Sequence, residues 1–175
     1  MIIPHFKGEI ESDANARAKY SRDASLFKVV PQAVVFPHDA DDVKALVKFA
    51  NANAHLGISL TARAAGTDMS GGPLTESLVV DFTRHMNAIS SVHYGTAVTE
   101  PGVYYRDFAK ALAAQDFLLP SYTASKDICA VGGMVANNSG GEKTLRYGKT
   151  DKYVRRLNVV LSDGNEYILR PLNAF

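Results

Sequence analysis

Two stretches of small residues hold the chemistry that this sequence is equipped to perform. Residues 120–148 read PSYTASKDICAVGGMVANNSGGEKTLRYG, and residues 64–77 read AAGTDMSGGPLTES. A long loop so rich in Gly, Ser, Thr and Asn is uncommon in a compact domain unless it has a function. The Gly132-Gly133 pair lets backbone approach a ligand, and a short helix beginning there would direct free N–H groups toward an anion. The sequence therefore predicts an anion site at these loops, with a Gly-rich packing turn as the equal alternative.

The familiar nucleotide-binding fingerprints are absent from both loops. Residues 141–144, Gly-Glu-Lys-Thr, place a carboxylate between the Gly and the Lys that a P-loop keeps adjacent. No G-x-G-x-x-G follows a strand, which counts against a nicotinamide site of the Rossmann type. A phosphate cradle of backbone N–H groups stays open, because it needs only small residues in suitable turns. Arg63, Lys143 and Arg146 flank the loops and could each neutralise a phosphate or pair with an acid; Tyr147 could stack on a ring or cap the core.

Neither a metal centre nor a catalytic nucleophile is predicted. The histidines lie far apart in sequence, with no carboxylate or cysteine at ligand spacing: His5, His38, His55, His85 and His93. No serine occupies a G-x-S-x-G elbow. The single cysteine, Cys129, excludes an internal disulfide, fits a reducing compartment and is typical of a small packed thiol.

Composition and charge are those of an ordinary globular chain. The 175 residues are 46% apolar and 21% charged, with a net charge of +1, and they suffice for one large domain or two small lobes. Nucleic-acid binding is not expected, since it would require a basic cluster. The N-terminal stretch lacks the apolar core of a signal peptide, and no apolar run approaches the length of a membrane span. We expect a cytoplasmic chain.

Apolar periodicity predicts alternating strands and helices. Asp39 is a suitable N-cap, and Gly57 a suitable C-terminal stop, for a helix in between. The predicted elements are strands at 33–36, 58–63, 78–81, 96–103, 154–161 and 166–169, weaker strands at 86–89 and 92–94, and helices at 40–54 and 106–116. The first strand–helix–strand unit implies parallel pairing, and Asp163-Gly164 predicts a hairpin between the last two strands.

The strand and helix pattern occurs twice, and each time it ends in a Gly-rich loop. We therefore predict an α+β fold with a lead-in at residues 1–30, a first lobe at 31–90 and a second lobe at 91–175, each lobe a small sheet with helices. The two loops could then face one ligand in the cleft between the lobes. The sequence stops six residues after a hairpin strand with no closing helix, which is typical of a piece of a longer protein.

Five segments, in their order along the chain, span residues 33–167 and read VVFPHDADDVKALVKFAN, RAAGTDMSGGP, LVVDFTRHMNAI, VTEPGV and AVGGMVANNSGGEKTLRYGKTDKYVRRLNVVLSDGNEY. Taken together, they resemble the FAD-binding domain of the flavoprotein oxidoreductases of the p-cresol methylhydroxylase and vanillyl-alcohol oxidase type. Within that type they resemble most the FAD-linked D-lactate and glycolate dehydrogenases. The loop at 120–148 is the most specific piece.

The resemblance implies that FAD lies between two lobes. Residues 63–72 would hold the pyrophosphate through backbone N–H groups, residues 125–141 would line the flavin, and the strand near Val154 would lie beside the adenine. By position, the implied cofactor-binding residues are Arg63, Ala64, Ala65, Gly66, Thr67, Asp68, Met69, Gly71, Ser125, Cys129, Gly132, Gly133, Ala136, Asn138, Gly141, Tyr147, Gly148 and Val154.

Some positions depart from the family pattern. Family members usually have glycines where this chain has Ala64-Ala65, and commonly Ser where it has Asp68, whose carboxylate would weaken pyrophosphate binding. Members that bind flavin covalently carry a His at the position of Thr67, so we expect non-covalent FAD. The further Gly-rich segment and the cap domain that carry the substrate and proton-accepting residues are not among these 175 residues. We therefore expect no complete catalytic site here.

The resemblance implies hydride transfer from a 2-hydroxy acid, such as D-lactate or glycolate, to the flavin in the whole protein, with electrons passing on to an acceptor. A sugar or alcohol oxidase that uses oxygen is the alternative within the same fold. A non-redox module that binds a nucleotide or a protein partner is a third interpretation from another class.

Overall fold

The structure, a computed structural model, describes residues 2–171 and confirms the α+β class. The first four elements alternate between strand and helix, four strands and three α-helices follow, and the chain continues into a final pair of strands. Short 3-10 helices lie at Ala54–Leu56 and Thr150–Tyr153. The strands are β1 (Glu9–Glu11), β2 (Ala33–Phe36), β3 (Leu60–Arg63), β4 (Leu78–Asp81), β5 (Ile89–His93), β6 (Thr96–Thr99), β7 (Leu157–Val160) and β8 (Glu166–Leu169). The α-helices are α1 (Ala14–Lys19), α2 (Ala40–Ala52), α3 (Tyr105–Ala113), α4 (Val131–Ala136) and α5 (Thr144–Tyr147).

A four-stranded sheet in the order β1-β2-β4-β3 forms the largest layer. Strand β4 pairs in parallel with both β2 and β3, so β2 and β3 are parallel as predicted, but β4 lies between them and they do not pair directly. All four residues of β2 and of β4 are buried, as expected for central strands covered on both faces. The lead-in, for which the sequence predicted only extended or short-helical backbone without bounds, contains β1 and α1; β1 joins the sheet antiparallel to β2.

Helix α2 covers this sheet and has the capping that its sequence predicted. The Asp39 side chain accepts a hydrogen bond from the Asp42 N–H at 2.9 Å. Leu46 is fully buried in a cluster with Val35 and Val80, which fixes the apolar face of the helix against the sheet. The helix ends at Ala52 rather than at residue 54, and the following 3-10 turn stops at Gly57, whose φ is 76°.

A second cluster of buried residues forms around α3 and the hairpin of β5 and β6. Tyr105, Phe108 and Leu112 on one face of α3 pack with Met134 of α4 in this cluster. The weak strand predictions at 86–89 and 92–94 were wrong in their bounds, because one strand, β5, spans Ile89–His93. It ends where the chain turns at Tyr94-Gly95, since both of these residues have positive φ. Strand β6 ends at Thr99, before the Pro101-Gly102 interruption.

Strands β7 and β8 form the predicted antiparallel hairpin, with Gly164 in the turn at φ 75°. This hairpin lies against α2, where the Asn51 side chain donates to the Ser162 carbonyl. The division near residue 90 stays a prediction, and residues 1 and 172–175 of the predicted segments lie outside the described residues. Among residues 2–171, no helix combines the length and apolarity that crossing a membrane requires.

Candidate cofactor-binding site

The first Gly-rich loop begins directly at the carboxyl end of β3, where Arg63 enters it. Arg63 Nη2 donates to the Arg22 carbonyl at 2.9 Å, and the guanidinium carbon lies 5.3 Å from the centroid of the Tyr20 ring. Its Nη1 is buried and has no hydrogen-bond partner among the described residues. Gly66, at φ 68°, lies against this guanidinium so closely that a Cβ there would collide with it. The loop therefore contains a cationic donor with unused hydrogen-bonding capacity.

Asp68 occupies the middle of this loop and turns its carboxylate back onto the loop backbone. Its Oδ2 accepts hydrogen bonds from the N–H groups of Gly72 at 2.7 Å and of Ser70 at 3.0 Å. These bonds, that from Gly72 above all, lower the pKa of Asp68 below its ordinary value. An ionised carboxylate thus takes N–H groups that would otherwise be available to a phosphate.

The two Gly-rich loops meet at Ala64 and Gly133. A Cβ placed on Gly133 would lie 3.8 Å from the Ala64 Cβ, an ordinary van der Waals contact. The neighbouring Gly132 is constrained differently, since a Cβ there would lie 2.7 Å from the Pro101 carbonyl oxygen. The structure therefore brings the first loop and the start of α4 together, with one glycine facing the other loop and one packed against backbone.

The start of α4 differs from the predicted anion site. The N–H groups of Val131 and Gly132 donate to the carbonyls of Val103 and Pro101, both at 2.8 Å. These bonds continue a β-bridge between Tyr104 and Ala130. Protein carbonyls thus occupy the first two N–H groups of this six-residue helix, those of Val131 and Gly132, and these two are not available to an anion. For these two groups the prediction of a free helix end was wrong, because the sequence did not show that residues 101–104 pair with this segment.

The second loop is held by polar groups within it and by those of the residues that directly follow it. Thr150 is buried, and its hydroxyl donates to the Ser139 carbonyl at 2.8 Å. Asn138 has a positive φ of 44°, and its side-chain oxygen accepts from the Asp151 N–H at 3.0 Å. The Gly141 N–H donates to the Thr144 hydroxyl at 2.8 Å. These bonds fix a loop that has little apolar side chain to bury.

Ser125 and Cys129 belong to the first part of the second loop, which packs on the buried cluster around α3. The Cys129 thiol is buried in the cluster with Tyr105 and Met134, and its carbonyl accepts from the Tyr105 N–H. Burial also raises the pKa of Tyr105 to about 12, so this ring remains neutral. The Ser125 hydroxyl lies 2.8 Å from that of Thr123. The structure places Cys129 as a core residue, in agreement with its interpretation as a packed thiol.

The remaining predicted residues lie around the second loop and beyond it. Asn138 and Val154 line the same cavity of about 370 Å³, between α4 and the β7–β8 hairpin. Ala136, Met69 and Tyr147 are exposed. Gly148, at φ 83°, packs against the Lys152 side chain. The larger cavity, about 790 Å³ between the N-terminal segment, α2 and the hairpin, contains none of the predicted residues, so its size is not an indication of the site.

Several residues that shape the first loop were missed by the sequence analysis. Tyr20 and Arg22 contact the Arg63 guanidinium, and Phe27 lies 3.0 Å from where a Gly71 Cβ would be. All three belong to the lead-in, whose mixed charge and weak periodicity gave no signal. As a whole, the arrangement offers a cation and backbone with few large side chains beside a narrow contact between two loops, which suits an elongated anionic ligand.

Curated relatives align with nearly the whole chain. A D-2-hydroxyglutarate dehydrogenase of Pseudomonas putida is 31% identical over 170 residues, covering 96% of this chain and 17% of the relative. Glycolate oxidase subunit GlcD of Bacillus subtilis is 33% identical over 158 residues, covering 87% of this chain and 33% of the relative. The chain therefore spans about a sixth of the length of the first relatives and a third of the length of others.

Solved structures share the fold. 6-Hydroxy-D-nicotine oxidase from Arthrobacter nicotinovorans superposes with a TM-score of 0.81 at 21% identity, over 94% of this chain and 36% of that one. Alkyldihydroxyacetonephosphate synthase gives a TM-score of 0.80 at 22% identity, over 100% of this chain and 34% of that one. Residues 31–169 match the family described as FAD binding domain. The resemblance inferred from the sequence is confirmed, and this chain belongs to that family of FAD-binding domains.

Proposed function

We propose that the chain binds FAD non-covalently between its two Gly-rich loops, and that the protein containing it oxidises a 2-hydroxy acid. The buried Arg63 Nη1, which has no hydrogen-bond partner in the part of the chain that the structure describes, is the observation that supports FAD binding. A buried guanidinium N–H left unpaired is costly, and a phosphate oxygen is a strong acceptor for it. The residues present thus fit a pyrophosphate beside Gly66.

The proposed division of roles follows the placement of the residues. Arg63 and the backbone of residues 64–71 would bind the pyrophosphate. Gly132 and Gly133 would allow the flavin to approach the backbone, together with the surrounding segment that includes Ser125, Cys129, Ala136 and Gly141. Asn138, Tyr147, Gly148 and Val154 would contact the rest of the cofactor, and the cavity shared by Asn138 and Val154 supports an adenine site. Thr67 stands where a covalent link would need histidine, which supports a non-covalent cofactor.

The bound flavin would supply the redox chemistry, and the chain's own residues would bind it, orient it and set its electrostatic surroundings. Arg63 would neutralise phosphate charge. The buried rings of Tyr105, from α3, and Tyr122, from the second loop, pack in one cluster and would exclude water from that side. The proposal retains two lobes divided near residue 90, with the substrate-binding and proton-accepting residues outside this chain.

The substrate class rests on the names of the relatives, which include D-2-hydroxyglutarate dehydrogenases, a D-lactate dehydrogenase and a glycolate oxidase subunit. These names share a 2-hydroxy acid as substrate. An electron acceptor completes the proposed reaction. The proposal includes a cytoplasmic location, which the single cysteine supports.

Calorimetric titration of the protein with FAD, ADP-ribose and riboflavin tests the proposal that the chain binds FAD. Replacing Arg63 with alanine should weaken binding of FAD and ADP-ribose about 10- to 100-fold, since it removes a charged hydrogen bond. Riboflavin, which has no phosphate, should bind both proteins equally. Wild-type protein that binds neither FAD nor ADP-ribose would contradict the proposal.

Arg17→Ala is the matched control for Arg63→Ala. The part-buried Arg17 guanidinium also donates to a backbone carbonyl, that of Pro31 at 2.7 Å, and Arg17 is not among the proposed cofactor-binding residues. Its removal should leave FAD affinity unchanged. An equal loss of FAD affinity in both variants would show that Arg63 acts through the stability or the net charge of the protein and not through a contact with the cofactor.

The substrate part requires the longest natural protein that contains this chain. Anaerobic mixing with D-2-hydroxyglutarate, D-lactate or glycolate should bleach the flavin absorbance. Absence of bleaching by every 2-hydroxy acid tested would remove this part of the proposal while leaving FAD binding intact. Rapid reoxidation of the reduced flavin by oxygen would favour the oxidase alternative.

A further inference from the structure

Three side chains with metal-binding atoms converge at one end of the four-stranded sheet, although they are far apart in sequence. Glu9 lies on β1, His38 follows β2 and His85 follows β4. The His85 Nε2 lies 2.7 Å from Glu9 Oε1, and the two imidazole rings are nearly perpendicular with centroids 4.3 Å apart. One ligand atom from each residue lies within 4.8 Å of the others.

The backbone beneath this cluster is held by a buried carboxylate. Asp42 is fully buried, and its two oxygens accept hydrogen bonds from the Lys7 N–H at 2.8 Å and the His38 N–H at 2.9 Å. One side chain thus fixes both the residue leading into β1 and the backbone of His38. The ladder between β1 and β2, with Glu9 opposite Phe36, fixes the position of Glu9. The three side chains therefore extend from constrained backbone and need only side-chain rotation to adjust.

Charge at the cluster favours a cation. Arg84 Nη1 lies 2.6 Å from both Glu9 Oε2 and Glu11 Oε1, so one guanidinium is shared by two carboxylates. The formal sum of these three groups is one negative charge. The Arg84 guanidinium carbon also lies 3.3 Å from the Phe36 ring centroid, which holds it in place. Arg84 thus binds one oxygen of Glu9 and leaves the other, Oε1, directed toward the histidines.

We propose that Glu9, His38 and His85 form a binding site for one divalent transition-metal ion, with Zn²⁺ as the probe. Two imidazole nitrogens and a carboxylate oxygen form a ligand set typical of zinc and of other first-row ions. Tetrahedral ligands about 2.0 to 2.1 Å from zinc lie about 3.3 Å from one another. Glu9 Oε1 and His85 Nε2 would separate slightly, and the His38 ring would move inward. The half-exposed setting leaves further positions for water.

This site is independent of the proposed FAD site. Its three ligand residues follow or lie on β1, β2 and β4, whereas the first Gly-rich loop follows β3 at the edge of the sheet, and the two sites share no residue. Bound metal would join the N-terminal strand to the ends of two central strands, so we infer a structural effect. Its failure in a test would leave the FAD proposal untouched.

Calorimetric titration of metal-free protein, the full 175-residue chain, with zinc chloride tests the proposal. We expect one Zn²⁺ per chain and a melting temperature that rises by about 5 to 10 °C when free zinc is about one hundred times Kd. His38→Ala and His85→Ala should each weaken binding about tenfold or more. His93→Ala, which removes an exposed histidine elsewhere, should have no effect.

Glu9→Gln separates metal binding from a simple hydrogen-bonded pair. Glutamine can still bond His85 and Arg84, so stability without metal should change little, but the zinc-induced rise in melting temperature should largely disappear. Absence of zinc uptake by wild-type protein would overturn the proposal. So would uptake that persists in the His38→Ala, His85→Ala double variant, which would show an adventitious ion only.

Imidazole NMR signals of wild-type protein provide a measurement that needs no variant. Zinc should shift the ring signals of His38 and His85 at one equivalent while those of His55 and His93 stay in place. Equal shifts at all of these histidines would overturn the site.

Discussion

Replacing Asp68 with serine should tighten FAD binding, because this carboxylate places negative charge in the loop proposed to bind a pyrophosphate. Its bonds from the Gly72 and Ser70 N–H groups keep its pKa low, so the side chain is charged at neutral pH. The same bonds occupy backbone donors. A phosphate entering the loop would meet a like charge and would compete for those N–H groups. Serine removes the charge and keeps a small polar group.

The size of the effect follows from the Coulomb energy of two like charges near a protein surface. At an assumed separation of about 7 Å, the repulsion is about 0.6 kcal/mol with a dielectric constant of 80 and about 2.4 kcal/mol with one of 20. Asp68 lies at the surface, so the lower half of that range applies. Asp68→Ser should therefore improve FAD affinity about three- to tenfold, and the gain should shrink in high salt.

Asp68→Asn separates charge from geometry. An asparagine can accept the same N–H groups, so its affinity gain reports the charge alone. Asp163→Asn is the matched control, since Asp163 forms the same kind of turn with the Asn165 N–H, at 3.0 Å, in the β7–β8 hairpin. Calorimetric titration with FAD at low and high salt measures all three variants. If both Asp68 variants bind FAD no tighter than wild-type protein, the repulsion argument is wrong.

Other changes test packing and pH dependence. Gly132→Ala should cost about 1 to 3 kcal/mol in urea unfolding, because its Cβ would collide with residue 101. Gly133→Ala should leave stability nearly unchanged but weaken FAD binding in the same titration, because the methyl narrows the contact between the loops. Asp42→Ala should cost about 2 to 4 kcal/mol by urea unfolding, since two backbone N–H groups lose their buried acceptor. The stability contributed by Asp68, whose folded pKa is lowered, should be present above pH 3.8 and lost as pH falls through the lowered pKa; Asp68→Asn should flatten that part of an acid-unfolding curve.

The central elements were predictable because their sequences satisfy local and tertiary requirements at once. Residues 33–36 and 78–81 are short apolar runs that suit strands buried on both faces, and the structure has strands with these bounds. Asp39 caps α2 as predicted. Strand β1, with the sequence Glu-Ile-Glu, was not predictable, because it forms through pairing with β2 and through the bonds of Lys7 to a buried carboxylate 35 residues away.

The loops of the candidate site were predictable, but the state of their hydrogen-bonding groups was not. Small residues indicated where backbone could approach a ligand. The carbonyls of residues 101 and 103 accept hydrogen bonds from the start of α4, and this contact forms only because a β-bridge joins two segments that are distant in sequence. The convergence of Glu9, His38 and His85 likewise depends on sheet order, because the ends of parallel strands bring together residues that sequence spacing keeps apart.

The two loops rest on different clusters of buried residues, and this arrangement has a consequence for ligand binding. The first loop extends from the four-stranded sheet, whose core includes Leu46 and Val80, whereas the second extends from the cluster around Phe108 and Met134. They approach each other at Ala64 and Gly133. A ligand that contacts both loops must therefore hold two separately packed cores in one relative position. Its binding free energy then adds to the stability of both cores. Saturating FAD should therefore raise the free energy of unfolding of the residues in each cluster by the same amount.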